Sequence, residues 1–361
     1  MKIFIDIGHP AHVHYFRNAI SIFKSNGHEV LVTTRKKEVT IELLEYYKIP
    51  YIYIGKNYQT FIGKFFSILR NDFLILIAAY KFKPDIFLSF LLPFPAHVGF
   101  LLNKPVIGFG DTENAKLSLK LTKLFTDCIL TPSCYMDDLG EKQVRFDGYM
   151  ELCYLHPNYF VPNPKVLDFL NLDIKDKYII LRFVSWNANH DIGHKGISIE
   201  MKKKIVHTLS KYAKVFISSE NELPHDLKDY QIIIPPEMMH DGIAFSSLLY
   251  GESSTMASES ACLGTPAIFH DDYGRGYTNE EEKIYNLVFN YSESAEDQEK
   301  SLSKAIAILE GDDSAVKFEE KREKMLSEKI DVTSFMVWFV ENYPQSYRIM
   351  KENPNYQYNF K

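Results

Sequence analysis

Strand-length apolar runs alternate with helical stretches along almost the whole chain, and that alternation points to parallel α/β sheets. Strands are predicted at 2–7, 29–33, 51–54, 85–89, 105–109 and 127–131, with helices between most of them. The first unit shows the pattern. Lys2-Ile-Phe-Ile-Asp-Ile7 reads as a buried strand, Gly8-His-Pro-Ala-His12 as a turn, and Val13 to Asn26 as a helix stopped by Gly27. A connection at 149–165 is rich in Pro and aromatic residues (Pro157, Pro162 and Pro164; Tyr149, Tyr154, Tyr159 and Phe160). Alternation resumes from Tyr178 to Phe289. Charged amphipathic helices run from Lys300 to Lys329, and the tail after Val332 carries Phe335, Trp338, Phe339, Tyr343 and Tyr347. The expected domains are 1–155, 165–330 and a helical tail, 331–361.

A chain of 361 residues, 46% hydrophobic, is long enough for two domains with cores of their own. Its four cysteines (128, 134, 153 and 262) form no Cys-x-x-Cys pair and fit a reducing cytosol. Asp6 interrupts the first apolar run and no cleavage pattern follows, so no signal peptide is expected. The longest apolar run, Phe73 to Tyr80, lies between Asp72 and Lys81, far short of the roughly 20 residues a membrane span needs. A cytoplasmic location is expected. Residues 1–150 hold 18 Lys and Arg against 14 Asp and Glu, so a basic half (+4) and an acidic remainder (−10) give the overall −6. That balance is too weak for nucleic acid. The aromatic stretch 61–83, edged by Lys64, Arg70, Lys81 and Lys83, suits either a core-packed helix pair or peripheral docking on the inner face of the cell membrane.

Gly251-Glu-Ser-Ser-Thr-Met-Ala-Ser-Glu-Ser-Ala-Cys-Leu-Gly-Thr-Pro266 reads as a small-residue turn, a helix from about Thr255 to Cys262, and a stop before the strand Ala267-Ile-Phe269. Ser253, Ser254 and Thr255 can cap the helix, whose free N–H groups and positive dipole end suit a phosphate. Glu259 lies one turn further along the same face, within reach of sugar hydroxyls. An ordinary capped core helix is the competing reading.

This run resembles the nucleotide-binding turn of GT-B glycosyltransferases and of UDP-N-acetylglucosamine 2-epimerases. The resemblance implies diphosphate contacts at Ser253, Ser254 and Thr255, and a ribose contact at Glu259. From Met1 to about Asn290 the chain more closely resembles a bacterial and archaeal family of GT-B-like proteins linked with surface polysaccharide synthesis. The implied fold has two Rossmann-like domains whose parallel sheets face each other across a cleft, with a C-terminal helix crossing back to the N-terminal domain.

Other segments extend the resemblance. The first turn holds His9, His12 and His14. A comparable turn in lipid-linked N-acetylglucosaminyltransferases of this fold lines the cleft, which makes His12 the preferred general base for an acceptor hydroxyl. Packing or capping is the alternative for each histidine. His-x-x-His-x-His without a Cys or carboxylate cluster gives no zinc site, and with no Asp-x-Asp motif neither metal nor cofactor is expected. Arg182 ends an apolar run and either neutralises a phosphate or pairs with an acid. Ser185, Trp186, Asn187 and His190 follow as cleft-lining residues, as do Glu220 and Glu280. The turn from Pro236 to His240 is implied to frame the nucleobase. Arg275, between Gly274 and Gly276, would reach a second phosphate oxygen or the donor sugar.

The epimerases' Arg-x-x-Thr-Glu-Arg-Pro-Glu run is matched only at Arg275 and Thr278. Glu252 and Ser258 replace an Asp and a Glu of their Asp-Ser-Gly-Gly-x-Gln-Glu-Glu turn. The expected function is therefore metal-independent glycosyl transfer from a nucleotide-diphospho-sugar, a UDP sugar above others, to a saccharide or lipid-linked acceptor. A 2-epimerase using Glu280, Glu281, His190 and Asp191, or a non-catalytic nucleotide-sugar-binding subunit, remain as alternatives.

Overall fold

Buried parallel strands need apolar side chains on both faces, and the first strand meets that demand: Ile3, Phe4, Ile5 and Ile7 are fully buried. The computed structural model describes residues 1–37, 39–56, 61–113, 116–184, 196–219, 222–311 and 314–361. It comprises two units, 1–154 with 329–361, and 155–328.

In the first unit the strands are β1 (Lys2–Ile7), β2 (Glu29–Lys36), β3 (Tyr51–Lys56), β4 (Ile86–Ser89), β5 (Val106–Phe109), β6 (Cys128–Pro132) and β7 (Gln143–Phe146). They form one parallel sheet in the order β3-β2-β1-β4-β5-β6-β7. The chain winds outward from β1 to β3, then returns to the other side of β1 at β4. Ligands of open α/β sheets bind at the carboxyl ends of the strands flanking such a reversal. Helix Pro10–Ser25 follows β1 and buries Val13, Phe16, Ile20 and Phe23 at helical spacing. Asp6, the polar residue inside β1, is fully buried. Its carboxylate accepts from Thr33 Oγ1 at 2.7 Å and pairs with Arg35 Nη2 at 3.1 Å. Removing one partner of such a buried pair costs about 3–5 kcal/mol, so the pair fixes β2 beside β1.

The tail belongs to this unit. Asp331 caps helix Val332–Glu341 by accepting from the Ser334 amide at 2.9 Å, and Lys329 Nζ lies 2.6 Å from Asp147 Oδ1. Phe335 packs on Phe146 of β7 and on Trp338 and Phe360.

The second unit has β8 (Tyr178–Phe183), β9 (Lys214–Ser219), β10 (Leu248–Gly251), β11 (Ala267–His270) and β12 (Val288–Tyr291), all parallel, in the order β12-β11-β10-β8-β9. Here the reversal falls between β8 and β10. Gly251 ends β10 opposite Arg182 of β8, and a Cβ at Gly251 would lie 2.0 Å from the Arg182 carbonyl oxygen. Only glycine permits this approach.

Candidate functional site

At the carboxyl end of β10 the chain turns directly into helix Ser254–Cys262. Ser253 is its N-cap, with extended backbone, and its hydroxyl accepts from the Met256 amide at 3.3 Å. The Ser254 and Thr255 amides lie in the unbonded first turn and have no acceptor among the described residues. Both residues are half-buried. The helix then sinks into the unit, with Ala257 to Cys262 buried.

Glu259 meets His240 on this buried face: Glu259 Oε1 lies 2.9 Å from His240 Nε2, with both side chains almost fully enclosed. Phe160 sets its ring edge-on to His240 at 6.2 Å. The structure thus brings together two residues predicted separately, one from the ribose position and one from the nucleobase turn.

Helix Gly276–Lys283 starts at the end of β11 and packs on the first helix, joined by a 2.5 Å hydrogen bond from Ser258 Oγ to Glu281 Oε1, both residues fully buried. Arg275 is the N-terminal flanking residue of this second helix. Its Nη1 is 3.1 Å from Asp271 Oδ2 and donates to the Gly274 carbonyl at 2.7 Å, while its buried Nε has no hydrogen-bond partner among the described residues. Arg182 donates from Nη1 to Ser218 Oγ on β9 at 3.0 Å. Glu280 is half-buried, and it is the neighbouring Glu281 that turns toward the Ser254–Cys262 helix. The expectations for Ser185, Trp186, Asn187, His190, Asp191 and Glu220 fall outside the described residues.

Glu252, read from the sequence only as a departure from a motif, has a defined structural job. Its carboxylate accepts from the Val184 amide at 2.9 Å and the Ile197 amide at 2.7 Å, and Lys202 Nζ lies 3.1 Å away in a buried ion pair. Behind the site, His270 of β11 is buried against Tyr250 and Ser301, with Nε2 at 3.1 and 2.9 Å from their oxygens and Nδ1 3.1 Å from the Ser292 carbonyl. Burial pushes its pKa from 6.5 down to about 4. The folded unit holds this ring neutral, whereas the unfolded chain protonates it below about 6.5. Its contribution is therefore intact above about pH 6.5 and is lost as the pH falls toward 4, by about 3 kcal/mol in all. Chemical denaturation at pH 7 and pH 4.5 should show that loss in the native protein and a smaller one in His270→Gln. Equal losses in both would refute the assignment.

In the first unit the three histidines take different roles. His9 is the N-cap of helix Pro10–Ser25, its Nδ1 accepting from the Ala11 amide at 3.2 Å. His14 is buried against Tyr154, with centroids 5.1 Å apart, and lies edge-on to Tyr47. Two helical residues place it about 200° around the axis from His12. His12 itself stands beside Phe90, at the end of β4, with ring centroids 4.8 Å apart. Burial, then the charges of His9, Arg35 and Lys37, hold its pKa well below the ordinary histidine value, so the ring is neutral near pH 7. Its Nδ1 accepts from the Gly8 amide at 3.3 Å, which puts the proton on Nε2.

Sequence reasoning also missed an acid group at the same sheet edge. Tyr15 OH donates to Asp111 Oδ2 at 3.3 Å and Glu151 Oε1 at 3.5 Å, and burial raises the Asp111 pKa to about 6. The signal was Gly110-Asp-Thr-Glu113 directly after a strand. No group of three or more His, Cys, Asp or Glu side chains among the described residues is arranged to hold a metal ion.

Residues 1–275 match the model of a family described as "Protein of unknown function (DUF354)". Uncharacterized protein MJ0665 of Methanocaldococcus jannaschii is 27% identical over 282 residues, covering 74% of this chain and 81% of that protein. Among solved structures, S. aureus MnaA in a co-structure with UDP has a TM-score of 0.65 at 11% identity, covering 96% of this chain and 97% of its own. Neisseria meningitidis UDP-GlcNAc 2-epimerase bound to UDP-GlcNAc gives 0.61 at 15%, covering 94% and 99%. The spinosyn rhamnosyltransferase SpnG, complexed with spinosyn aglycone, gives 0.59 at 13%, covering 95% and 100%. At such identities the likeness concerns the fold, which is GT-B.

Proposed function

We propose, on the premise that the chain belongs to the DUF354 family, that it transfers a sugar from a nucleotide-diphospho-sugar, a UDP sugar above others, to a saccharide or lipid-linked acceptor in surface polysaccharide synthesis. The observation that carries this reading is the pair of helices starting side by side at the ends of β10 and β11, with open amides at Ser254 and Thr255 and the guanidinium of Arg275 at the second start. Open amides and a fixed cation stabilise negative charge, and a departing nucleoside diphosphate is where such charge develops. Structures of the same fold hold UDP or UDP-GlcNAc.

In this reading Ser253, Ser254 and Thr255 bind the diphosphate, Arg182 adds charge from β8, and the Glu259–His240 pair meets the nucleoside. His12 receives the acceptor's proton. Its ring is neutral and so able to accept a proton, but burial lowers its basicity and presenting the Nε2 lone pair costs the Gly8 hydrogen bond at Nδ1.

A 2-epimerase is the second reading, favoured by the number of epimerases of this fold. It needs acid and base groups around the sugar ring, yet Glu281 is fully buried and engaged with Ser258. Incubating the full chain with UDP-, GDP-, dTDP- and CMP-sugars, without acceptor, separates the two by NMR. The transferase reading expects one donor to bind with its C2 configuration intact and to release nucleoside diphosphate slowly. A C2 epimer would make the protein an isomerase, and binding of none would remove the nucleotide-sugar reading altogether.

A further inference from the structure

Three neighbouring helices of the first unit leave a broad apolar surface uncovered. On Phe61–Phe82, Leu69 (56% exposed), Phe73 (60%) and Tyr80 (74%) are spaced four and seven residues apart and so share one face, with Ile77 beside them. His97 Nδ1 lies 3.0 Å from Asp72 Oδ2 and ties this helix to Pro93–Leu101, whose Phe100 and Leu101 are each 66% exposed. Phe100 and His97 in turn meet the ring of Phe125, at 5.3 and 5.0 Å, just beyond helix Lys116–Lys123; that helix adds Leu121, and the turn after it adds the 75% exposed Leu124. Isolated exposed apolar residues are ordinary, but a contiguous patch of this extent marks an interaction surface.

The rim identifies the partner. Lys81, Lys83, Lys104, Lys120 and Lys123 border the patch and form no ion pair among the described residues. The nearby acids are fewer than these lysines: Asp72 pairs with His97, while Asp85 and Asp127 accept from the Lys2 and Val106 amides and keep their charge, leaving the rim net basic. Apolar side chains that can enter a lipid headgroup layer, ringed by lysines, complement an anionic leaflet. A second copy of the chain fits less well, because self-association would bring one lysine rim against another.

We infer that this three-helix face docks the protein on the anionic surface of a phospholipid membrane, without crossing it. No helix among the described residues is long and apolar enough to span a bilayer. The inference deepens the lipid-linked reading of the acceptor and rests on that reading for its purpose, but binding to lipid can be measured without donor or acceptor, so each can fail separately.

The experiment is co-sedimentation of the full chain with phosphatidylcholine vesicles and with vesicles containing phosphatidylglycerol. The protein should partition onto the phosphatidylglycerol vesicles at low salt and come off at high salt. Leu69→Ser/Phe73→Ser/Leu124→Ser should lower partitioning at least tenfold, and each of Lys81→Gln and Lys120→Gln by about fivefold. All of these side chains are solvent-exposed, so unchanged melting of each variant confirms that the fold is intact. Partitioning that ignores phosphatidylglycerol, or survives the triple substitution, would overturn the inference. So would a wild-type dimer dissociated by that substitution, which would assign the face to a second copy.

Discussion

Arg275→Ala lowers turnover about 10²–10³-fold, with donor affinity falling far less, if this guanidinium meets charge that grows on the leaving diphosphate. The side chain is held for such a task. Asp271, at 3.1 Å, and the Gly274 carbonyl, at 2.7 Å, fix one edge of the guanidinium, while Nε is left without a partner among the described residues. A group already oriented loses little freedom when the charge appears. Arg275→Lys should recover only part of the rate, because an ammonium cannot retain the Asp271 contact and present a planar fork together. Steady-state kinetics with the donor found by NMR reads this directly. An Arg275→Ala enzyme that raises KM alone, at unchanged kcat, would show that the residue binds donor and transition state equally, and the catalytic role would be lost.

Gly251→Ala is the second large effect, and it acts on stability. The added methyl meets the backbone of Arg182 at 2.0 Å from O, 2.7 Å from C and 3.0 Å from Cα, so no side-chain rotation relieves the clash. β8 and β10 must separate where they flank the reversal of strand order. We expect a loss of more than about 4 kcal/mol and a melting temperature lower by on the order of 10 °C. Gly140→Ala makes the contrast. Gly140 has φ +76° and nothing within 4 Å of its Cβ position, so the substitution should cost only about 1 kcal/mol of backbone strain. Calorimetry on both variants tests the pairing, and a Gly251→Ala protein that melts with Gly140→Ala would contradict it.

The expected elements came from periodicity, which is local. The run Ile3-Phe-Ile5, the start of the helix after His9 and the Ser253 cap are all written within a few residues of where they act. Pro10 at the first helical position even explains why that helix begins before Val13. What escaped was of two kinds. Some elements have weak local signals: β7, Gln143-Val-Arg-Phe146, is an edge strand, and its hidden side is supplied by the tail, with Lys351 Nζ donating to the Gln143 carbonyl at 3.0 Å. Conversely, Ile232-Ile-Ile234 is as apolar as any strand. The chain makes only a bridge from Gln231 to Ile217 there, because Pro235 and Pro236 supply no N–H to a ladder.

The site was legible as a set of chemically apt residues but not as pairings. Glu259 with His240, Asp6 with Arg35 and Tyr15 with Asp111 are separated by 19, 29 and 96 residues, and no local rule joins them. The histidine turn was different. With the helix read from Val13, His12 falls in the turn beside His14; only the start at Pro10 puts both on the helix, on different faces.

One carboxylate, Glu252, accepts from the backbone on both sides of residues 185–195 and immediately precedes the residue that caps the Ser254–Cys262 helix. Such an arrangement joins three segments through one side chain: the end of β8 at Val184, the approach to helix Ile199–Leu209 at Ile197, and the turn before Ser253. The carboxylate is itself held by Lys202 in a buried ion pair, so the three segments share a single anchor. Loss of that one side chain would therefore loosen a strand end, a helix approach and a helix cap together, three places far apart in the sequence.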